Sequence, residues 1–321
     1  MDFQEKKTRL SITVVVPTYK RPDFLKNCLV SLRNQERLPD EICVVIREDD
    51  LDSIRMFRQI QNERTQKETL KIFCQLIRQP GFLPPIQAGI EVSHGDIVAF
   101  IDDDAEAMPN WLASLESHYV NPAVGGVGGR VVNMWKGDEI KYKLADVFGK
   151  FFWYGRLVGN LYRGMAYEKP VEVDFLMGGN MSYRRNVLEK ISVDMRLNNA
   201  VASDYEVDLG MQVKALGFRI IFEPQAKVKH HSAACLDDFT RPITKDKVYW
   251  DNFNKGYIAM KHSKGWRKGV IITYEFLVGQ SSRWGLMSLL WFMIRYRKPP
   301  VFLLVAITGR WSGIRAGLLN G

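Results

Sequence analysis

The chain has 321 residues, 46% of them hydrophobic; at this length about three-quarters of the unfolded surface is hidden, so one α/β domain with an appendage is the default organisation. The formal charge is +9, but the segment from Arg241 to the end holds 14 Lys or Arg against 3 Asp or Glu, so the rest is near neutral. Cys28, Cys43, Cys74 and Cys235 lack the paired spacing of a zinc site and read as reduced core residues, and Met1 to Arg9 is too polar for a secretory signal, so export is not expected.

Ser11 to Val16 is a β-branched run that Pro17 is expected to stop. Phe24, Leu25, Cys28, Leu29 and Leu32 then recur at helical spacing over Pro22 to Asn34. Glu41 to Ile46 predicts a second strand, Ser53 to Thr69 a helix, and Leu70 to Ile77 a third strand. Gly81 to Val92 predicts a helix and Asp96 to Ile101 a short buried strand. Strands that are apolar throughout and separated by helices mark a parallel sheet covered on both faces. Ligands of such sheets lie beyond the carboxyl ends of the strands, which directs attention to Thr18 to Arg21, Glu48 to Asp50 and Asp102 to Asp104.

After Gly125 to Arg130 the pattern loosens into an aromatic stretch, Phe148 to Tyr167. A turn at Gly178 and Gly179 precedes a short helix near Arg185 to Lys190. A longer helix spans Tyr205 to Leu216 with Gly217 as its C-cap, and Arg219 to Phe222 is a closing strand. The tail carries two apolar runs, Trp284 to Ile294 and Val301 to Thr308, each too short to span a bilayer. Their basic, Trp-rich borders favour lying in a membrane interface with anionic lipid; the alternative is a pair of helices packed on the core.

Asp102, Asp103 and Asp104 directly follow a strand, and three adjacent carboxylates repel one another unless a cation joins them. Alternation along extended backbone turns Asp102 and Asp104 the same way. A divalent cation between them would also stabilise a diphosphate leaving group.

Three segments together, Val14-Val15-Val16-Pro17-Thr18-Tyr19-Lys20-Arg21, Phe100-Ile101-Asp102-Asp103-Asp104 and Gly178-Gly179-Asn180-Met181-Ser182-Tyr183-Arg184-Arg185, resemble family 2 glycosyltransferases of the GT-A fold. The resemblance covers Ser11 to His231. It implies an inverting transfer of sugar from a nucleotide-diphosphate donor of UDP, dTDP or GDP type to a hydroxyl acceptor, with Mn or Mg as cofactor. By the same resemblance Pro17, Thr18, Tyr19 and Arg21 hold the nucleotide, joined by the acidic Glu48, Asp49 and Asp50. Asp49 or Asp50 matches the position that accepts a hydrogen bond from base or ribose, although the glycine usual after that pair is missing. Asp102 and Asp103 belong to the diphosphate motif, and Asp104 with Asp102 to the metal site. Gly178, Gly179 and Asn180 line the donor sugar and acceptor.

An inverting transfer needs a carboxylate to take the acceptor proton. The cluster Asp204-Tyr205-Glu206-Val207-Asp208 supplies it, with Glu206 favoured and Asp204 and Asp208 as orienting or alternative groups. His230 matches a histidine that completes the metal site or touches the diphosphate in related enzymes, with His231 beside it leaving the assignment open.

The expected architecture is therefore a GT-A, Rossmann-like, mostly parallel sheet flanked by helices over residues 1–235, with a basic, aromatic-rich, amphipathic helical membrane-associating region over 236–321. A nucleotidyltransferase would carry a glycine-rich phosphate loop after the first strand, and Pro17 to Arg21 has none. A nucleic-acid-binding role would interleave the basic residues with polar, stacking loops rather than aliphatic ones, so no nucleic acid partner is expected. A nucleotide- or membrane-binding protein without transferase activity is the other alternative. The expected partners are the donor, a glycan or lipid-linked acceptor and a membrane surface, with the protein cytoplasmic and peripheral on the inner face of the membrane.

Overall fold

The apolar runs form the strands of one sheet in the computed structural model, which describes residues 9–62, 70–143, 145–159, 161–163, 168–199, 204–231, 244–280, 283–284, 287, 294 and 301–320. β1 (Ile12–Thr18), β2 (Glu41–Arg47), β3 (Lys71–Ile77) and β4 (Ile97–Ile101) alternate with α1 (Pro22–Arg33), α2 (Leu51–Asn62) and α3 (Leu83–Val92). β1 pairs in parallel with β2 and β4, and β2 with β3. Alternate residues of β1 enter different cores: Val14 and Val16 pack against α1 and α2, Val15 against α3. Leu25, Cys28, Leu29 and Leu32 form the buried stripe of α1, and each such aliphatic side chain contributes about 1.5–3 kcal/mol when fully buried. β1 runs on through Pro17 because its ladder to β4 has ended by Val15, so a missing N–H there breaks no pairing with that neighbour.

The second half departs from the sequence-based expectation. After β5 (Ala105–Ala107) and α4 (Trp111–His118), the glycine-rich segment is a long strand, β6 (Val124–Trp135), continued by β7 (Asp138–Glu139). The aromatic stretch contains a small hairpin, β8 (Lys150–Phe151) and β9 (Leu157–Val158), followed by β10 (Val171–Val173). β11 (Asn180–Arg184) runs antiparallel between β4 and β6. Then come α5 (Arg185–Leu188), α6 (Tyr205–Ala215) and β12 (Arg219–His230), a strand three times the length read from sequence. The sheet order is β10-β12-β6-β11-β4-β1-β2-β3, with β5 on β12 and β7 on β6.

Among the described residues that follow are the helices α7 (Lys245–Lys261), α8 (Trp266–Leu277) and α9 (Val301–Asn320), with a short antiparallel pair, Gly279–Gln280 and Arg283–Trp284, between the last two. α9 takes in the apolar run at Val301 to Thr308; most of the run at Trp284 to Ile294 and the boundary at residue 235 lie outside the described residues. Added methyl groups at Gly309, Gly313 or Gly317 would strike the backbone or side chains of Tyr249, Phe253 or Met260, so α9 lies close along α7. No helix among the described residues is long and apolar enough to cross a membrane. α7 in turn delivers the fully buried Tyr257 to the core cluster that also holds Val15, Leu83 and Val207. Cys28, Cys43 and Cys74 are free thiols, and burial pushes Cys43 up to about 12; Cys235 lies outside the described residues.

Candidate active site

β1 and β4 end side by side, so the residues that follow them meet. The Thr18 hydroxyl donates to Asp103 Oδ2 at 2.6 Å, and the Arg21 guanidinium bridges Asp103 at 3.2 Å and Asp104 at 2.9 Å. Burial raises the Asp103 carboxyl to about 7, against the pull of Arg21 and Thr18. Asp103 is thereby an internal anchor turned toward β1, while its two neighbours turn to the cleft.

Those neighbours meet the end of β12. One ligand atom from each of Asp102, Asp104 and His230 lies within 4.8 Å of the others. His230 Nε2 is 3.2 Å from Asp104 Oδ1 and 3.9 Å from Asp102 Oδ2, and its Nδ1 faces Asn133 Oδ1 at 3.2 Å, which orients the ring. His231 points away to Glu106 at 3.1 Å, so of the two histidines it is His230 that reaches the carboxylate pair. Although the Asp102 side chain is 40% exposed, partial loss of water around its carboxyl and then the Asp104 charge hold it above the ordinary carboxyl range. On His230, burial lowers the pKa but is outweighed by Asp104 and Asp102, and the net shift is upward. Two crowded carboxylates and one imidazole form a donor set that suits a hard divalent cation such as Mn or Mg.

At the β2 end the acidic residues separate. Asp50 is buried: its Oδ1 accepts from the Ser53 N–H at 3.1 Å, capping α2, and its Oδ2 accepts from the Lys20 N–H, holding Lys20 at φ 57°. Glu48 pairs outward with Arg78. Asp49 stays exposed and accepts from the Tyr19 hydroxyl at 3.1 Å, and the Arg47 guanidinium lies 3.7 Å over the Tyr19 ring while pairing with Asp49. Asp49 is thus the exposed carboxylate on the Tyr19 side, Glu48 being turned to Arg78; Arg47, not among the site residues nominated from sequence, makes a flat platform with Tyr19.

The turn before β11 closes the cleft. A methyl group on Gly179 would lie 2.5 Å from Asp102 Oδ2, and one on Gly178 would lie 2.4 Å from the Tyr205 hydroxyl and 2.8 Å from Glu206 Oε1. Both glycines let these side chains approach the turn closely, and they separate the acidic cluster from Glu206. Burial lifts the Glu206 carboxyl to about 8, helped by the charges of Asp204 and Asp102 and opposed by backbone N–H groups. Asp204 is the N-cap residue of α6, at φ 70°.

Two sequence candidates fall outside this group. Asn180 is fully buried; its Oδ1 accepts from Trp111 Nε1 at 2.9 Å and its Nδ2 donates to the carbonyls of Ala226 and Arg130. Its side chain is spent on tying α4, β6 and β12 together and offers nothing to a sugar. Asp208 turns to the opposite side of α6, where Lys261 and His262 bind it.

A GT-A type sheet, an acidic cluster at its carboxyl edge and a half-buried carboxyl across a glycine turn define the class of a nucleotide-sugar-handling enzyme. Residues 13–192 match the model of glycosyl transferase family 2, and the chain belongs to that family of glycosyltransferases. Among curated proteins it is similar to glucosyl-dolichyl phosphate glucuronosyltransferase of Haloferax volcanii, 27% identical over 254 residues, 77% of this chain and 76% of that protein. Among solved structures its fold resembles the mannosyltransferase PcManGT of Pyrobaculum calidifontis in complex with GDP-Man and Mn2+, with TM-score 0.54, 16% identity, and coverage of 98% of this chain and 86% of that one. It also resembles S. aureus TarS in complex with UDP-GlcNAc, with TM-score 0.56, 14% identity, and coverage of 92% and 79%.

Proposed function

We propose that the protein is an inverting, divalent-metal-dependent glycosyltransferase that moves a sugar from a nucleotide diphosphate to a hydroxyl of a lipid-linked or glycan acceptor. The observation that carries this reading is the convergence of Asp102, Asp104 and His230 within 4.8 Å, with Glu206 across the Gly178–Gly179 turn. Asp102, Asp104 and His230 would hold the cation, which when bound would supply charge neutralisation for the departing diphosphate. Tyr19, Arg47 and Asp49 receive the nucleoside, and Arg21 lies beside the phosphates.

Glu206 takes the proton of the acceptor hydroxyl. As that proton leaves, the acceptor oxygen forms its bond to the anomeric carbon from one face, and the bond to the diphosphate oxygen breaks on the other, the electron pair departing with the nucleotide. The configuration inverts. A base with a pKa near the working pH is both deprotonated often enough and strong enough to do this. The likeness to a dolichyl-phosphate-dependent transferase and the basic tail support a lipid-linked acceptor and work at the cytoplasmic face of a membrane.

Calorimetry with UDP, GDP, dTDP and CDP, with and without manganese or magnesium, tests the donor site. Metal-dependent binding of one nucleotide that disappears in Asp104→Ala is the expected result. Absence of metal-dependent binding to all four would sink the transferase reading.

A further inference from the structure

The β8–β9 hairpin of the catalytic domain does not end in solvent. It docks on α8: Trp153 and Trp266 meet at 5.9 Å between ring centroids, Tyr154 and Tyr274 at 4.9 Å. A methyl group on Gly155, at φ 93°, would lie 2.8 Å from Ile271, so the contact is close. Between hairpin and helix lies an open cleft of about 580 Å³ lined by Trp153, Trp266, Val270, Tyr274, Leu277 and other apolar groups. Trp153 is 53% exposed and Trp266 69% exposed, and Phe276, Leu277 and Val278 extend the apolar surface along α8.

The two segments that form the cleft expose one sign of charge among their described residues. Arg156 of the hairpin, Lys264 just before α8 and Arg267 in its first turn are exposed. The one acidic residue in 150–158 and 264–278 is Glu275, which is buried and lies 3.6 Å from Arg310. An apolar floor flanked on both its segments by exposed cations complements an anionic amphiphile. Tryptophans at the edge of such a surface suit the boundary between headgroups and hydrocarbon.

We infer that this composite cleft docks the protein on a bilayer surface containing anionic phospholipid, with Trp153 and Trp266 entering the interface. The membrane-facing surface is thus shared between the catalytic domain and the C-terminal helices rather than confined to residues 236–321. The hairpin also leads to the catalytic base: the Phe151 N–H donates to Asp174 Oδ2 at 2.8 Å, Lys214 of α6 pairs with the same carboxylate, and Gly210 packs on the Asp174 carbonyl. The cleft is thus tied through Asp174 to α6, the helix whose first turn carries Glu206, and a bilayer-borne, lipid-linked acceptor would approach along that helix. That last consequence rests on the transferase reading; the docking itself does not.

The test is flotation of the full chain with vesicles of phosphatidylcholine alone and of phosphatidylcholine containing one quarter phosphatidylglycerol, at low and high salt. Selective, salt-sensitive retention on the anionic vesicles is expected, weakened at least about tenfold in Lys264→Glu/Arg267→Glu and at both salts in Trp153→Ser/Trp266→Ser. Thermal unfolding checks that each variant is folded, and the exposed charge variant keeps the test open if the tryptophan variant is not. Equal retention on both vesicle types, or variants that float like the wild type, overturns the proposal. A wild-type mass of two chains that falls to one in the tryptophan variant would instead assign the face to a second copy. Because flotation is read without nucleotide or turnover, failure of donor binding and failure of docking are separate results.

Discussion

Asp208 and His262 meet where α6 touches the end of α7, His262 Nε2 lying 2.7 Å from Asp208 Oδ1, with Lys261 Nζ 2.8 Å from the same oxygen. Gln212 also donates to this carboxylate at 2.9 Å. A side chain that the sequence nominates for proton transfer is instead a brace between the C-terminal helices and the helix that starts at Glu206. Asp208→Ala strips a buried cation of one partner, which costs about 3 kcal/mol, the low end for a broken buried pair because Lys261 keeps Asp194. Urea unfolding of the variant measures that loss. At a temperature where the variant is folded, kcat is expected to stay within about tenfold of wild type, less than the loss from removing a general base. A hundredfold fall in kcat with stability intact would return Asp208 to the chemistry.

Glu206→Gln gives the opposite pattern. Without the base, kcat falls roughly 10²–10⁴-fold while metal-dependent nucleotide binding persists. The wild-type pH profile of kcat/KM should rise to a plateau through about 8, the value to which burial lifts this carboxyl, because the base works only when deprotonated.

The same shift has a stability sign. The folded pKa of about 8 exceeds the ordinary 4.5, so the folded chain holds this proton more tightly than the unfolded chain does. Its contribution is present below the ordinary value and is lost as pH rises through the folded one. Glutamine cannot ionise, so the Tm of Glu206→Gln should rise relative to wild type between about pH 5 and 9, by on the order of 3 °C. A Tm difference that is constant over this range would show that the carboxyl is not held neutral.

The parallel half of the sheet was legible because β1, β2 and β4 are apolar on both faces and the helices between them carry plain 3.6-residue periodicity. β6 was not, because Gly125, Gly126, Gly128 and Gly129 erase its side-chain pattern. Their reason lies in the neighbours: Tyr183, Asn180 and the Ala226 carbonyl occupy the space that side chains there would need. β12 was cut short at Phe222 because Pro224 sits in an irregularity of its ladder with β6, between Glu223 and Lys227. In the site, Asp102, Asp104 and His230 followed from strand-end position and from the resemblance. Which of Asp49 and Asp50 faces solvent was set by the Lys20 turn, a tertiary contact with no local signature. Asn180 shared its motif with Gly178 and Gly179, and only the packed strands reveal that its amide is already used.

That amide predicts its own variant. Asn180→Leu leaves Trp111 Nε1 and the Ala226 and Arg130 carbonyls without their partner in a fully buried place. At about 1–3 kcal/mol for each buried group left unsatisfied, it should be among the most destabilising single changes in the catalytic domain, measured by urea unfolding. Donor KM in the residual folded fraction should be unchanged. A selective loss of donor affinity with normal stability would restore Asn180 to the sugar site.

Gly178 and Gly179 separate the two halves of the chemistry by one residue, and alanine at each should disable a different half. At Gly179 the new methyl group meets Asp102 Oδ2 at 2.5 Å. The Asp102 side chain is 40% exposed, so it can swing outward with little cost to the fold, but it then leaves Asp104 and His230 one donor short. Affinity for manganese, read by calorimetry, should fall roughly 10–100-fold, the usual effect of disturbing the support of a metal ligand. At Gly178 the methyl group meets Tyr205 and Glu206 instead. Metal binding should then stay near wild type while kcat falls, because the carboxylate that accepts the proton has been pushed from its place. If both variants lose metal affinity equally, the turn acts as one rigid unit and the division of labour between Asp102 and Glu206 is not carried by these two positions.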